Sequence, residues 1–234
     1  MHSMLHFLNN ILYTLLPGTC LLCDAKTFRM LDLCVDCETV LPWPENVCSI
    51  CSYPLPIGEI ICGKCVVIRP AYSRCHAAFI YQYPIDKLIL NFKNHHDLLT
   101  GCLLTNLLAN SLPSDHVLPD LLIPMPLHNR AQKARGFNQS AEISRVLSRK
   151  WNIAVNHNRC SRTVDTAEQK SLTAIDRAKN VKGVFSITER FNGEHVGIVD
   201  DVVTTGASVT ELTKLFMANG AGSVNVYCLA RTPL

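Results

Sequence analysis

Glu194-His195-Val196-Gly197-Ile198-Val199-Asp200-Asp201-Val202-Val203-Thr204-Thr205-Gly206-Ala207-Ser208 decides the reading of this chain. Its first half is an apolar run that ends in two adjacent carboxylates. Its second half is a hydroxyl-rich turn with one glycine, opening into a helical pattern from Val209. A buried strand that delivers two acids and then a small cradle at a helix N-terminus suits a phosphorylated sugar. The first N–H groups of a helix lack intrahelical partners and carry the positive end of its dipole, so they attract anions. Threonine and serine hydroxyls add donors, and Gly206 permits close backbone approach. Vicinal carboxylates can accept hydrogen bonds from neighbouring ribose hydroxyls. The competing reading is an ordinary strand, loop and capped helix, with Asp and Thr as turn and cap formers.

The same stretch resembles the PRPP-binding motif of type I phosphoribosyltransferases. The resemblance implies that Asp200 and Asp201 bind the ribose hydroxyls and are the catalytic candidates. It also implies that Val202, Val203, Thr204, Thr205, Gly206, Ala207 and Ser208 complete the PRPP site, with residues 204–208 around the 5′-phosphate.

Working outward, 234 residues suffice for one good core plus a small appendage. A net charge of +3 is too weakly basic to indicate nucleic acid by itself. The N-terminus has no basic region and no small-residue cleavage site, so the twelve cysteines do not read as a secreted disulfide framework. Leu5, Leu8, Ile11, Leu12, Leu15 and Leu16 follow helical spacing, which predicts an amphipathic helix over residues 1–16, stopped by Pro17-Gly18. No apolar run reaches the roughly twenty residues of a spanning helix. The expected location is cytoplasmic, with no stable membrane insertion.

Eight cysteines form four Cys-x-x-Cys knuckles: Cys20/Cys23, Cys34/Cys37, Cys48/Cys51 and Cys62/Cys65, each ten residues from the next. Two knuckles can complete a tetrahedral site of four thiolates, and a segment with so little to bury needs such a staple. The simplest pairing is sequential, giving two structural zinc ions. Cross-bracing of alternate knuckles is the rival pairing, and an iron–sulfur cluster the rival occupant. This predicts a double zinc-ribbon region over 17–70 and an α/β domain over 71–234. Cys75, Cys102, Cys160 and Cys228 stand alone, with Cys228 expected to be buried and inert.

In the body, residues 75–83 read as a strand, 85–92 and 97–112 as helices, 117–123 as a second strand, and 141–151 as a helix. Lys93, His95 and His96 read as a solvated loop. Between the second strand and its helix lie Pro124, Met125, Pro126, Leu127 and His128, followed by Arg130, Lys133 and Arg135. Three cations in a loop could neutralise a pyrophosphate; a plain basic surface loop is the alternative. The apolar runs 117–123, 195–199 and 223–229 are the expected central strands of a parallel sheet with helices on both faces. Ligand would then bind at their carboxyl ends.

The knuckles, the PMPLH and RGFNQS segments, the VDDVVTTGAS motif and the closing Cys228-Leu229-Ala230-Arg231 together resemble the ComF family, which is competence-associated and also called ComFC or GntX-like. The match runs through nearly the whole chain in order. It implies a type I phosphoribosyltransferase-like sheet behind a four-cysteine zinc-ribbon region, with residues 124–128 facing pyrophosphate. It implies PRPP as ligand, Mg2+ held mainly by substrate oxygens, and a loop with Arg162, Gln169 and Arg177 as candidate lid contacts. The biological setting it favours is DNA uptake or utilisation, with internalised single-stranded DNA and uptake or recombination proteins as partners. The alternative is an active phosphoribosyltransferase of nucleotide metabolism, transferring ribose 5-phosphate to a nitrogenous base.

Overall fold

Residues 15–164 and 183–233 are described by the structure, a computed structural model. The chain divides into two compact units between Pro42 and Trp43. In the first, β1 (Gly18–Thr19) pairs antiparallel with β2 (Lys26–Thr27), and a short helix, α1 (Val35–Thr39), follows. The expected N-terminal helix falls on residues that, up to 14, lie outside the described ones.

The second unit begins with α2 (Gly63–Val67) and β3 (Arg74–Ile80), then α3 (Ile85–His95) and α4 (Leu98–Ser111). Next come β4 (Leu121–Pro124), α5 (Asn129–Arg135), α6 (Gln139–Trp151), β5 (Ala154–Val155) and β6 (Cys160–Arg162). It closes with β7 (Phe185–Ile187), β8 (His195–Val203), α7 (Ala207–Ala218) and β9 (Ser223–Arg231). Five of these strands form a parallel sheet in the order β3-β9-β8-β4-β5; β6 and β7 pair antiparallel beside it. The long runs β8 and β9 are apolar almost throughout because helices and loops cover both faces of the sheet.

Side-chain alternation assigns those faces. Val196 and Ile198 join a buried cluster with Val209, Leu212 and Phe216 of α7. Gly197, one residue out of phase, faces the other way: a Cβ there would meet Leu122, Pro119 and the Tyr227 ring within 3.0 Å. Tyr227 in turn packs edge-on against Trp151 of α6. Helices therefore lie on both faces, as expected. Glycine stands at 197 because Leu122, Pro119 and the tyrosine ring together occupy the space of a side chain.

Several boundaries differ from the sequence reading. The strand expected over 117–123 pairs only from Leu121, and Val117 is 72% exposed. Pro119 has no N–H to give a ladder, while Asp120 spends its N–H on the His195 carbonyl and its carboxylate on the His195 N–H, both at 2.8 Å. His95 belongs to the last turn of α3, and His96, at φ 58°, caps it. Its ring stacks on Phe137 with centroids 3.8 Å apart, so His96 is not an idle loop residue. The cationic segment is the short helix α5 rather than a loop, N-capped by His128 and ended by Gly136 at φ 79°.

The unit boundary also falls between the two ribbons, where the sequence reading drew it after residue 70. Backbone bonds explain why. Cys75 N donates to Ile50 O at 2.7 Å, and Ser52 Oγ to Cys75 O at 2.6 Å. Cys48, Ile50, Cys51, Cys62 and Cys65 share their buried cluster with Val226 and Leu212. The second ribbon thereby covers β3, which would otherwise be a bare sheet edge.

Candidate functional site

The acid pair lies at the carboxyl end of β8, the middle strand of the sheet, where parallel α/β sheets bind ligands. Asp200 Oδ1 accepts the Asp201 N–H at 2.9 Å and the Ser140 hydroxyl at 3.2 Å; Asp201 Oδ1 accepts the Val202 N–H at 2.7 Å. Burial pushes the Asp200 carboxyl up to about 8, and the neighbouring Asp201 charge adds to it. The Asp201 N–H, Ser140 and the Lys93 charge pull the other way. Burial wins because three partners do not replace the water lost by a carboxylate.

Beyond the strand, Asp200, Val202, Val203, Thr204, Thr205, Gly206, Ala207 and Ser208 line one hollow of about 40 Å³. Gly206, at φ 77°, turns the chain into α7, and Ala207 N donates to Thr205 Oγ1 at 3.3 Å. The turn needs the left-handed conformation, which glycine adopts without a Cβ penalty. The motif residues named from sequence are thus gathered around one cradle, except Asp201, which is not part of its lining.

Pro124 and Met125 run beside the acids. Pro124 is in register with Val199, and Met125 N donates to Val199 O at 2.8 Å. Asn138 fastens this segment to α6: its side chain accepts from Ser140 N and Ala141 N and donates to Met125 O at 3.1 Å. His128 Nδ1 accepts from Arg130 N at 3.3 Å, and the His128 backbone bridges in parallel with Arg162 at the end of β6. Arg130 opens α5 on its exposed side, and Arg135 lies in its last turn. Of the lid candidates, Arg162 stacks over Phe185 at 5.9 Å, while Gln169 and Arg177 lie outside the described residues.

Sequence reasoning missed the brackets of this site. Nothing in the sequence marks Ser140 as a partner of Asp200 or Asn138 as a partner of the Met125 carbonyl. Arg231 was legible only as part of a closing signature; its bonds to Cys51, Val203 and Thr204 span 27 to 180 residues along the chain. Two aromatics near the cationic segment and the second ribbon, Phe137 and Tyr72, are buried at 7% and 4% exposure. Phe137 is held between Phe92 and His96, so neither ring is open to a base.

The cysteines form two tetrads, Cys20-Cys23-Cys34-Cys37 and Cys48-Cys51-Cys62-Cys65, with the sulfurs of each within 4.8 Å of one another. The pairing is sequential, which excludes cross-bracing. Cys23 and Cys34 Sγ are 3.7 Å apart, Cys51 and Cys62 Sγ 3.6 Å. A tetrahedron with zinc–sulfur bonds of about 2.3 Å has edges of about 3.8 Å, so the donor sets fit structural zinc. Cys75 and Cys228 are buried neighbours, 3.9 Å between sulfurs, and their mutual contact and burial hold the Cys228 thiol well above its usual range.

A parallel five-stranded sheet with an acid pair at the carboxyl end of its central strand, preceded by two four-cysteine clusters, defines an α/β protein carrying a double zinc ribbon. A family model described as Double zinc ribbon domain matches residues 11–66. DNA utilization protein YhgH of Shigella flexneri is 34% identical over 92% of this chain and 98% of its own length. Competence protein F of Haemophilus influenzae is 32% identical over 85% of this chain and 90% of its own. Competence protein ComFC of Bacillus subtilis is 24% identical, covering 91% and 95%. The chain belongs to the ComF family, the group of these DNA utilization and competence proteins. Among solved structures, purine phosphoribosyltransferase from Pyrococcus horikoshii aligns with 63% of this chain and 70% of its own at 16% identity and a TM-score of 0.30, and the assignment does not rest on it. Among the described residues no helix is long and apolar enough to cross a membrane.

Proposed function

We propose that this protein binds PRPP and acts in DNA uptake or utilisation inside the cell. The observation that carries the reading is that Asp200 and residues 202–208 line one hollow at the N-terminus of α7, with Asp200 braced by Ser140. In this reading the N–H groups and hydroxyls of residues 204–208 take the 5′-phosphate. Asp200 and Asp201 take the ribose hydroxyls. Pro124, Met125, Pro126, Leu127 and His128 face the pyrophosphate, with Arg130 and Arg135 as nearby cations. Magnesium on the pyrophosphate and ribose oxygens would neutralise their charge, as it commonly does on phosphate substrates. Calorimetry with PRPP tests the pocket: a wild-type protein that fails to bind removes it.

The DNA setting draws on the names of the relatives, and in it exposed Arg130 and Lys133 offer backbone contacts to single-stranded DNA. The second reading is turnover. Its support is the adjacency of the 124–125 segment to β8, which would set leaving group and ribose side by side. A nitrogen nucleophile would then form its bond to C1 as the C1–pyrophosphate bond breaks, with the cations receiving the departing charge. Pyrophosphate release from PRPP, screened against bases and DNA, distinguishes turnover from binding.

A further inference from the structure

Arg231 ends β9 with its side chain buried at 3% exposure. Its Nε donates to Cys51 O at 3.0 Å, and its Nη1 to Val203 O at 2.8 Å and also to Thr204 O. A buried guanidinium loses much hydration, and these carbonyls replace it only if they stay in one geometry. From the ribbon side, Lys64 Nζ donates to Thr205 O at 2.8 Å. Three successive carbonyls of the phosphate cradle, at residues 203, 204 and 205, are therefore gripped by two cations. Both cations are tied to the second cysteine tetrad: one through the carbonyl of Cys51 itself, the other from the two-residue link between Cys62 and Cys65.

In a trans peptide the C=O and the following N–H point in opposite directions. Drawing carbonyls 203–205 toward the ribbon aims the N–H groups of residues 204–206 away from it. Thr205, Gly206 and Ala207 also form a shared wall. They line the phosphate hollow on one side and, on the other, a cavity of about 270 Å³ bounded by Cys51, Lys64, Cys65 and Arg231.

We propose that the second metal site is a positioning device for the phosphate cradle. Metal in Cys48-Cys51-Cys62-Cys65 fixes the Cys51 carbonyl and α2, and Arg231 and Lys64 transmit that fixation to residues 203–205. Ligand identity here rests on the PRPP reading; the coupling itself does not. Because coupling between two sites is reciprocal, PRPP in the cradle must in turn raise the affinity of this tetrad for metal.

Two measurements on the full chain test it. First, metal affinity is measured at equilibrium by competition with a chromophoric chelator, with and without PRPP. The expected result is one of the two sites tightened about tenfold in wild type. In Arg231→Gln and Lys64→Ala the tightening shrinks, with Arg231→Lys intermediate. Equal tightening in the variants overturns the proposal. Second, amide exchange is measured without ligand before and after metal is stripped. Exchange at residues 203–206 is expected to rise well ahead of residues 143–147 in α6; a parallel rise overturns the proposal. This second arm stands if Arg231→Gln does not fold. It also stands if wild type fails to bind PRPP, an outcome that would remove the ligand reading alone.

Discussion

Ser140 Oγ donates to Asp200 Oδ1 at 3.2 Å, joining the first turn of α6 to the acid pair at the end of β8. Sixty residues of sequence separate the two, and the contact is one of the few that favour the charged form of a carboxyl otherwise held high by burial. Ser140→Ala is expected to raise the Asp200 pKa further. It should weaken PRPP binding about fivefold near neutral pH, the worth of one ordinary hydrogen bond of about 1 kcal/mol. Well above pH 8 Asp200 is ionised in either protein, so the loss should shrink. Titration calorimetry at pH 7 and pH 9 measures both; an equal loss at the two pH values would show that Ser140 does not act through Asp200.

Replacing the acids separates function from stability. Asp200→Asn with Asp201→Asn should abolish PRPP binding, and unchanged affinity would sink the pocket assignment. The free protein should respond in the opposite direction. A folded pKa near 8 against an ordinary 3.8 means the native state keeps a proton that the unfolded chain gives up. Stability therefore falls as pH rises between those values. Asp200→Asn should flatten that fall and raise the melting temperature most at pH 8. Thermal unfolding at pH 5 and pH 8 reads the difference.

Metal content should be two zinc ions per chain, one for each tetrad. Elemental analysis of protein purified without added metal is the check, and one ion or none would refute the paired ribbons. Cys62→Ser should lose one ion and lower the unfolding temperature, because three thiolates and a hydroxyl bind zinc far less tightly.

Single-stranded DNA affinity should fall with salt, and Arg130/Lys133/Arg135→Ala should lower both the affinity and the steepness of that fall. Three lost phosphate contacts would reduce the slope of log affinity against log salt by about 2. Filter binding over a salt series measures it. A salt-insensitive interaction would remove the role assigned to α5.

Acid should destabilise the fold through His76. This ring is 7% exposed, stacks on Tyr227 at 5.3 Å and has its pKa lowered to about 3, chiefly by burial and by the nearby His116. The unfolded chain takes up the proton first, so stability present above about pH 6.5 is lost as pH falls toward 3. By pH 5 the loss should be about 2 kcal/mol. His76→Phe should remove most of that dependence in urea unfolding at pH 7 and pH 5; an unchanged slope would assign the acid sensitivity elsewhere.

Local chemistry made much of this molecule legible from sequence. The strand carrying Asp200, the glycine turn at Gly206 and the four knuckles each depend on residues within a few positions of one another. A continuous apolar run, a positive φ and two thiolates three residues apart are short-range requirements, so they show in the string. Pairing of the knuckles was open by spacing and was decided by where the sulfurs meet. What only the tertiary structure decided are contacts between distant segments. Ser140 reaches Asp200 because α6 packs on the sheet; Arg231 reaches Cys51 and Val203 because β9 lies between β3 and β8. The second ribbon belongs with the sheet because its backbone bonds to β3, a partnership that no composition shift marks. Sequence names the groups that can meet a phosphate. Which cations bond the carbonyls of residues 203–205 is a matter of chain segments brought together across the core, and only the fold records it.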